Sequence, residues 1–157
     1  MTSRDGPGMY SFRRAEGRDA SGVDELVEAA YRHYIERIGF PPRPMTEDYD
    51  EVIDTRHVTV AERDGAMVGV LVLADDDEGF LIDNVAVHPA ERGKGLGRSL
   101  LELAEAEARR AGFDSIYLYT HEQMTENLAL YSGIGYVEYD RRSQGGFSLV
   151  YMRKHLG

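Results

Sequence analysis

Two periodicities divide the chain. Alternating or continuous apolar runs of strand length are interleaved with segments whose apolar residues recur every three or four positions. Met9 to Arg14 alternates as an edge strand with Tyr10 and Phe12 on one face. Asp19 or Ser21 caps a helix reaching about Ile38, with Val23, Leu26, Val27, Ala30, Tyr31, Tyr34 and Ile38 on its apolar stripe and Gly39 ending it. Phe40 to Met45, carrying Pro41, Pro42 and Pro44, reads as a stiff extended linker. Thr46, with Glu47 and Asp48 behind it, caps a short helix to about Asp54. His57 to Arg63 and Ala66 to Leu73 are strands joined by the hairpin signal Asp64-Gly65. Asp75 to Gly79 is a charged, solvated turn, and Phe80 to Val87 is the next strand, spanning about 26 Å. A helix runs from Leu96 to about Ala111 and stops at Gly112. Ser115 to Thr120 is a strand, Glu126 to Ser132 a short helix and Tyr136 to Arg141 a strand. Arg142 to Gly146 is a polar loop, and Phe147 to Lys154 is the last strand. The order β-α-α-β-β-β-α-β-α-β-β predicts an α/β fold with a mixed sheet and one parallel step at its centre. Met1 to Gly8 is polar and is expected to be a disordered tail, leaving 9–157 as one domain.

The strand before the long helix is the most informative stretch. Leu81-Ile82 and Val85-Ala86-Val87 form an apolar run interrupted only by Asp83-Asn84, as in a central strand covered on both faces. Pro89 ends it. Gly93, Gly95 and Gly97 then let backbone N–H groups turn inward at the start of the helix, where the helix dipole also favours negative charge. Arg92, Lys94 and Arg98 add positive charge, so the ligand expected here is a phosphate. A Walker A loop is excluded because Lys94 lacks the required following residues, and the glycine spacing does not fit a dinucleotide fingerprint.

Composition narrows the field. The 157 residues include no cysteine, so there is neither a disulfide framework nor a thiolate nucleophile. The five histidines are scattered and form no metal-ligand pair, so no metal is expected. A net charge of −10 argues against nucleic acid as a partner and mildly favours a cationic substrate such as an amine. No stretch is long and apolar enough for a membrane span, and no signal-peptide core is seen, so a cytoplasmic location is the default expectation.

The run Arg92-Gly93-Lys94-Gly95-Leu96-Gly97, read as R-x-x-G-x-G and preceded by Val87-His88-Pro89, resembles the acyl-CoA pyrophosphate loop of the GNAT superfamily, the CoA-dependent N-acyltransferases. Downstream, Tyr131 before Gly135-Tyr136 is similar to the tyrosine-bearing helix beside the CoA arm in that family, and Met124, Asn127 and Tyr131 share one helix face. The family often has an asparagine seven residues before the tyrosine; here Met124 stands there and the asparagine is Asn127. The element order matches as well, so the resemblance covers nearly the whole chain.

The resemblance implies direct acetyl transfer from acetyl-CoA to a primary amine within a ternary complex. The central parallel strands would splay, with Val85, Ala86 and Val87 lending backbone groups to the pantetheine arm and acetyl carbonyl. Arg92, Gly93, Lys94, Gly95, Leu96, Gly97 and Arg98 would hold the pyrophosphate, with Asn127 also near the cofactor. Tyr131 would be the general acid toward the departing sulfur. Many family members carry a glutamate base on the central strand where this chain has Asp83-Asn84; Asp83 and a water relay are the two candidates for proton removal. Tyr31 and Tyr34, with Phe40 and Tyr49, would line an aromatic amine pocket, and Arg141-Arg142 would contact an acidic group on the substrate or only solvent. The expected acceptor is a small-molecule amine, the alternatives being a protein N-terminus or lysine, or a non-catalytic acyl-CoA-binding module. The family also makes a homodimer an open possibility.

Overall fold

The computed structural model describes residues 10–157, apart from the side chains of Gln144 and Phe147; the tail expected at Met1 to Gly8 lies outside the described residues. Seven strands form one sheet in the order β1-β2-β3-β4-β5-β7-β6. They are β1 (Ser11–Arg14), β2 (His57–Arg63), β3 (Ala66–Asp76), β4 (Gly79–Val87), β5 (Ser115–His121), β6 (Val137–Gln144) and β7 (Phe147–His155). Every neighbouring pair is antiparallel except β4 and β5. The helices are α1 (Ala20–Tyr31), α2 (Tyr34–Ile38), α3 (Tyr49–Thr55), α4 (Leu96–Arg110) and α5 (Thr125–Gly133).

The two faces of the sheet are buried by different helices. Leu96, Leu100, Leu101, Ala104 and Ala108 of α4 pack with Leu71, Leu73, Ile82, Ile116 and Leu118. On the other face, Val23 and Val27 of α1 and Val52 of α3 meet Val58, Val60, Val70, Val72 and Ala86. Double coverage is why β3 and β4 read as nearly continuous apolar runs. Gly69 of β3 lets α4 sit close, since a Cβ there would lie 3.1 Å from Leu96 and 3.2 Å from Leu100.

Two irregularities open the centre of the sheet. The parallel pairing of β4 with β5 is limited to Leu81 beside Tyr117 and Ile82 beside Leu118, although both strands continue beyond it. On the other edge of β4, Ile82 faces Leu73 and Asn84 faces Val72, which makes Asp83 the extra residue of a β-bulge. The bulge resets the alternation. Phe80 and Ile82 face α4 before it, and Val85 and Val87 face α4 after it.

Several sequence expectations shift. The helix expected to run unbroken to Ile38 divides after Tyr31, because the Ala30 carbonyl accepts from Arg92 Nη2 (3.0 Å) and the Tyr34 hydroxyl is drawn to Glu126 Oε1 (3.2 Å). The proline segment is not wholly extended: Arg43–Thr46 forms a 3-10 turn. The cap of α3 is Asp48 rather than Thr46, accepting from the Asp50 amide at 3.1 Å. Asp75 and Asp76 belong to β3, where Asp76 receives the Tyr117 hydroxyl at 2.5 Å. Arg142 is in β6, and the connection shrinks to Gly145-Gly146, both left-handed at φ 53° and 87°. The hairpin at Asp64-Gly65 has φ 54° and 82°, as its sequence requires. Among the described residues, no helix is long and apolar enough to cross a membrane.

The strand-to-helix entry is fixed electrostatically. Arg13 donates twice to Asp19, at 2.9 Å for both bonds, and the Asp19 carboxylate also accepts from the Glu16 amide at 2.8 Å. The guanidinium bond holds the Asp19 pKa down at about 2 against an ordinary 3.8, outweighing the opposing effect of burial. Because the folded value is depressed, this stabilisation is fully present above about pH 4 and is lost as pH falls through 2. Asp19→Asn is expected to cost about 1–2 kcal/mol in urea unfolding at pH 7. The gap from the parent should close between pH 4 and pH 2; a gap constant over that range would refute the assignment.

Candidate active site

The loop after β4 stands on a buried carboxylate. His88 Nδ1 accepts from the Ala90 amide at 3.1 Å, and Pro89–Glu91 forms one 3-10 turn. Glu91 is 6% exposed and accepts from the Tyr10 hydroxyl (2.7 Å) and Arg63 Nη1 (3.0 Å). The Tyr10 hydroxyl, and then Arg63, hold its carboxyl below the usual range against the effect of burial. The chain next takes left-handed turns at Gly93 (φ 79°) and Gly95 (φ 87°), which an L side chain would strain. Among the described residues, the amides of Gly93, Lys94, Gly95, Leu96, Gly97 and Arg98 meet no backbone acceptor, the first bond of the turn being Ser99 N–H to the Gly95 carbonyl. A row of free donors at the N-terminus of a fifteen-residue helix is an anion cradle.

The three expected cations differ in their use. Arg98 is exposed beside the cavity. Lys94 leans back to Glu91 at 3.9 Å. Arg92 lines the same cavity but donates to the Ala30 carbonyl, tying the loop to the C-terminus of α1.

Two cavities meet where β4 and β5 part. The larger, about 460 Å³, runs from the loop along Val85, Ala86 and Val87 to α5. The smaller, about 60 Å³, lies between β4, β5 and the proline segment, with Arg43, Tyr119 and His121 on its wall. Tyr31, Val85, Asn127 and Tyr131 line both. Tyr131 is 5% exposed, and burial, with Tyr136 and Tyr34 nearby, raises its pKa above the ordinary phenol value, so the hydroxyl keeps its proton. Asn127 stands one turn earlier on the same helix, at the same junction. Met124, the N-cap of α5, is buried, its sulfur accepting from the Thr120 hydroxyl at 3.4 Å.

The structure therefore unites the loop residues Arg92 to Arg98, the strand Val85 to Val87, Asn127 and Tyr131. It does not assemble the aromatic amine pocket. Tyr34 lies on the loop-side cavity, its ring 3.9 Å from that of His33 and tilted 39° to it, with burial pushing its pKa up to about 12. Tyr31 reaches the junction, but its single hydroxyl proton is shared between Asn84 Oδ1 (2.8 Å) and the Val85 carbonyl (3.0 Å). Tyr49 is buried, receiving Asn84 Nδ2 at 3.2 Å and donating to the Pro44 carbonyl. Phe40 stands edge-on to His121 at 6.3 Å. Arg141 binds Glu138 and Glu122, while Arg142 binds Glu78 and Asp140 and lies over the Tyr151 ring at 3.9 Å.

Asp83 reaches the smaller cavity as part of a charged cluster. Its Oδ2 accepts from Arg56 Nη1 at 2.6 Å, Oδ1 lies 3.5 Å from Arg43 Nη2, and Glu47 bridges the same two arginines. The isolated, desolvated carboxylate expected from the sequence is instead paired on both oxygens. Sequence reasoning missed Arg43, Asn84, Tyr119 and His121. Asn84 had left a signal, as a neutral amide inside a buried apolar strand.

The family model for the acetyltransferase (GNAT) family matches residues 23–136. An IAA acetyltransferase of Azospirillum brasilense is 38% identical over 81 residues, covering 50% of this chain and 53% of that protein. The L-methionine sulfoximine/L-methionine sulfone acetyltransferase of Salmonella typhimurium is 34% identical over 84 residues, covering 50% of this chain and 49% of that protein. The matched region thus spans about half the length of these relatives. Among solved structures, the PaiA N-acetyltransferase of Thermoplasma acidophilum in complex with coenzyme A superposes with a TM-score of 0.78 at 17% identity, covering 93% of this chain and 98% of that one. With the splayed strand pair, the glycine cradle and the tyrosine helix in place, the family match settles the assignment: the chain belongs to the acetyltransferase (GNAT) family.

Proposed function

We propose that the protein transfers an acetyl group from acetyl-CoA directly to the primary amine of a small molecule. The observation that carries this reading is the meeting of two cavities at Val85, Asn127 and Tyr131, one ending at an anion cradle and the other near 60 Å³. Two reactants entering from opposite sides would meet there without a covalent enzyme intermediate, which suits a chain with no cysteine. The narrow second cavity favours a small amine over a protein segment, and the names of the two relatives above also point to small-molecule acceptors.

In this reading, the amides of Gly93 to Arg98 and the Arg98 guanidinium hold the pyrophosphate, while Val85 to Val87 run beside the pantetheine arm. Backbone donors of this strand polarise the acetyl carbonyl. Tyr131 donates to the sulfur as it becomes a thiolate; its raised pKa keeps the proton available until negative charge develops. Asp83 is replaced as the proposed base, because both its oxygens face guanidinium groups. Water in the acceptor cavity takes the amine proton instead, so the rate follows the neutral fraction of the amine.

Three outcomes test this. Isothermal titration should show acetyl-CoA binding to the parent protein and its loss in Gly95→Trp and Gly97→Trp; no binding by the parent, or equal binding by both variants, sinks the proposal. Tyr131→Phe should lower kcat by roughly 10²-fold or more on an acceptor found by thiol-release screening, with acetyl-CoA affinity little changed; full turnover would remove the acid role. With the same acceptor, kcat/KM should climb with pH toward the pKa of the free amine, near 10 for a lysine-like group. A plateau below pH 7 would restore an enzyme base.

A further inference from the structure

When β4 leaves β5 at Ile82, it exposes backbone groups that a parallel neighbour would have paired. Their direction follows from the β3 ladder. The His88 amide donates to the Val68 carbonyl at 2.9 Å. In an antiparallel pair, hydrogen-bonded residues alternate with outward-facing ones, and His88, Ala86 and Asn84 share one parity. Val85 and Val87 therefore turn their N–H and C=O groups away from β3, toward the opening.

Two carbonyls on that edge, those of Val85 and Asp83, are met by side chains. The Val85 carbonyl accepts from the Tyr31 hydroxyl at 3.0 Å. The Asp83 carbonyl accepts from Arg43 Nη2 at 2.8 Å. Neither donor is loosely held. The same Tyr31 hydroxyl reaches Asn84 Oδ1, whose amide nitrogen donates onward to the Tyr49 hydroxyl. Arg43 is gripped by Glu47 and lies over the Tyr119 ring at 5.7 Å. The two residues come from different elements, the end of α1 and the proline-rich turn, and converge on carbonyls two residues apart.

We propose that Tyr31 and Arg43 are positioning residues that stand in for the missing donors of β5, masking the Val85 and Asp83 carbonyls so that the opened edge of β4 presents N–H groups to the reacting thioester. This rests on the acetyl-transfer reading above. The reason is electrostatic. Acyl transfer builds negative charge on the carbonyl oxygen, which an N–H stabilises and an unmasked backbone carbonyl repels. Burial keeps Tyr31 protonated, so it remains a donor throughout the working pH range. Arg43 covers the carbonyl nearer the amine side, where it shares a cavity wall with Asp83 and Tyr119.

Isotope-edited infrared spectroscopy of bound [1-13C]acetyl-CoA tests this without knowledge of the acceptor. The thioester carbonyl stretch should fall on binding to the parent protein. In Tyr31→Phe it should move back toward the free value, while coenzyme A itself binds within about twofold of the parent, since its pyrophosphate cradle is separate. Arg43→Lys should keep the parent frequency, and Arg43→Met should shift it in the same direction as Tyr31→Phe but less. A lowered Tm with an unchanged carbonyl frequency in Tyr31→Phe would mean a merely structural hydroxyl and would overturn the inference. So would a parent protein that binds acetyl-CoA with no carbonyl shift, although the acetyl-CoA site would then stand. No acetyl-CoA binding by the parent would overturn both readings.

Discussion

The two-residue length of the β4–β5 pairing is the constraint on which the rest of the site depends. A central strand that loses its neighbour leaves polar backbone in the middle of a sheet, and buried groups of that kind must find partners or a ligand. Here the burden is divided. Side chains from α1 and the proline turn take two carbonyls, and a cavity receives the remaining edge. The bulge at Asp83 belongs to the same arrangement. It allows Phe80 and Ile82 to pack under α4 in the paired half, and Val85 and Val87 to do so in the opened half, with the polar pair Asp83-Asn84 turned to the other side. Without the parity change, one of those halves would present its apolar side chains to the wrong face.

The cradle at the other end of the cavity needs its own foundation. Free amides attract anions only if the loop holds its left-handed turns before the ligand arrives. Glu91 supplies the fixed point, joined to Tyr10 just before β1 and to β2 through Arg63, while Arg92 ties the loop to α1. A buried carboxylate below an anion site would repel the ligand if it were unpaired. Arg63 at 3.0 Å neutralises it, leaving the helix N-terminus and Arg98 to set the local field.

Much of this was legible in the sequence because the signals were local. The alternating glycines, the apolar run before them and the 3.6-residue periodicity after them specify a strand, a cradle and a helix without tertiary information. Helical spacing placed Asn127 and Tyr131 on one face of a short helix, while the role expected of Tyr131 came from the resemblance. What was not legible depends on distant partners. Nothing near Asp83 in the sequence reveals Arg43, forty residues earlier, or Arg56, so a paired carboxylate looked like a desolvated one. Tyr31 carried the spacing of a core helix residue, and it is one; its hydroxyl, which the periodicity ignores, reaches the site. The break between α1 and α2 likewise follows from Arg92 and Glu126, sixty or more residues downstream. Local patterns specified elements and the cradle, whereas long-range polar contacts decided which side chains remained available for chemistry.

Those contacts also bear on where the amine proton goes. The carboxylates that line the two cavities, Asp83, Glu91 and Glu126, are each held by a guanidinium: Arg56 with Arg43, Arg63, and Arg37 respectively. For Glu126 the Arg37 bond brings the pKa down to about 2. His33 lines the larger cavity, with burial and then Arg92 lowering its pKa, and His121 on the smaller one uses Nδ1 to accept the Gln123 amide at 3.1 Å. With the Tyr131 phenol buried and protonated and these carboxylates paired, the proposed reading gives Tyr131 the protonation of the leaving group. In that reading none of the paired carboxylates takes the amine's proton, and its loss to solvent makes the substrate's own basicity part of the rate.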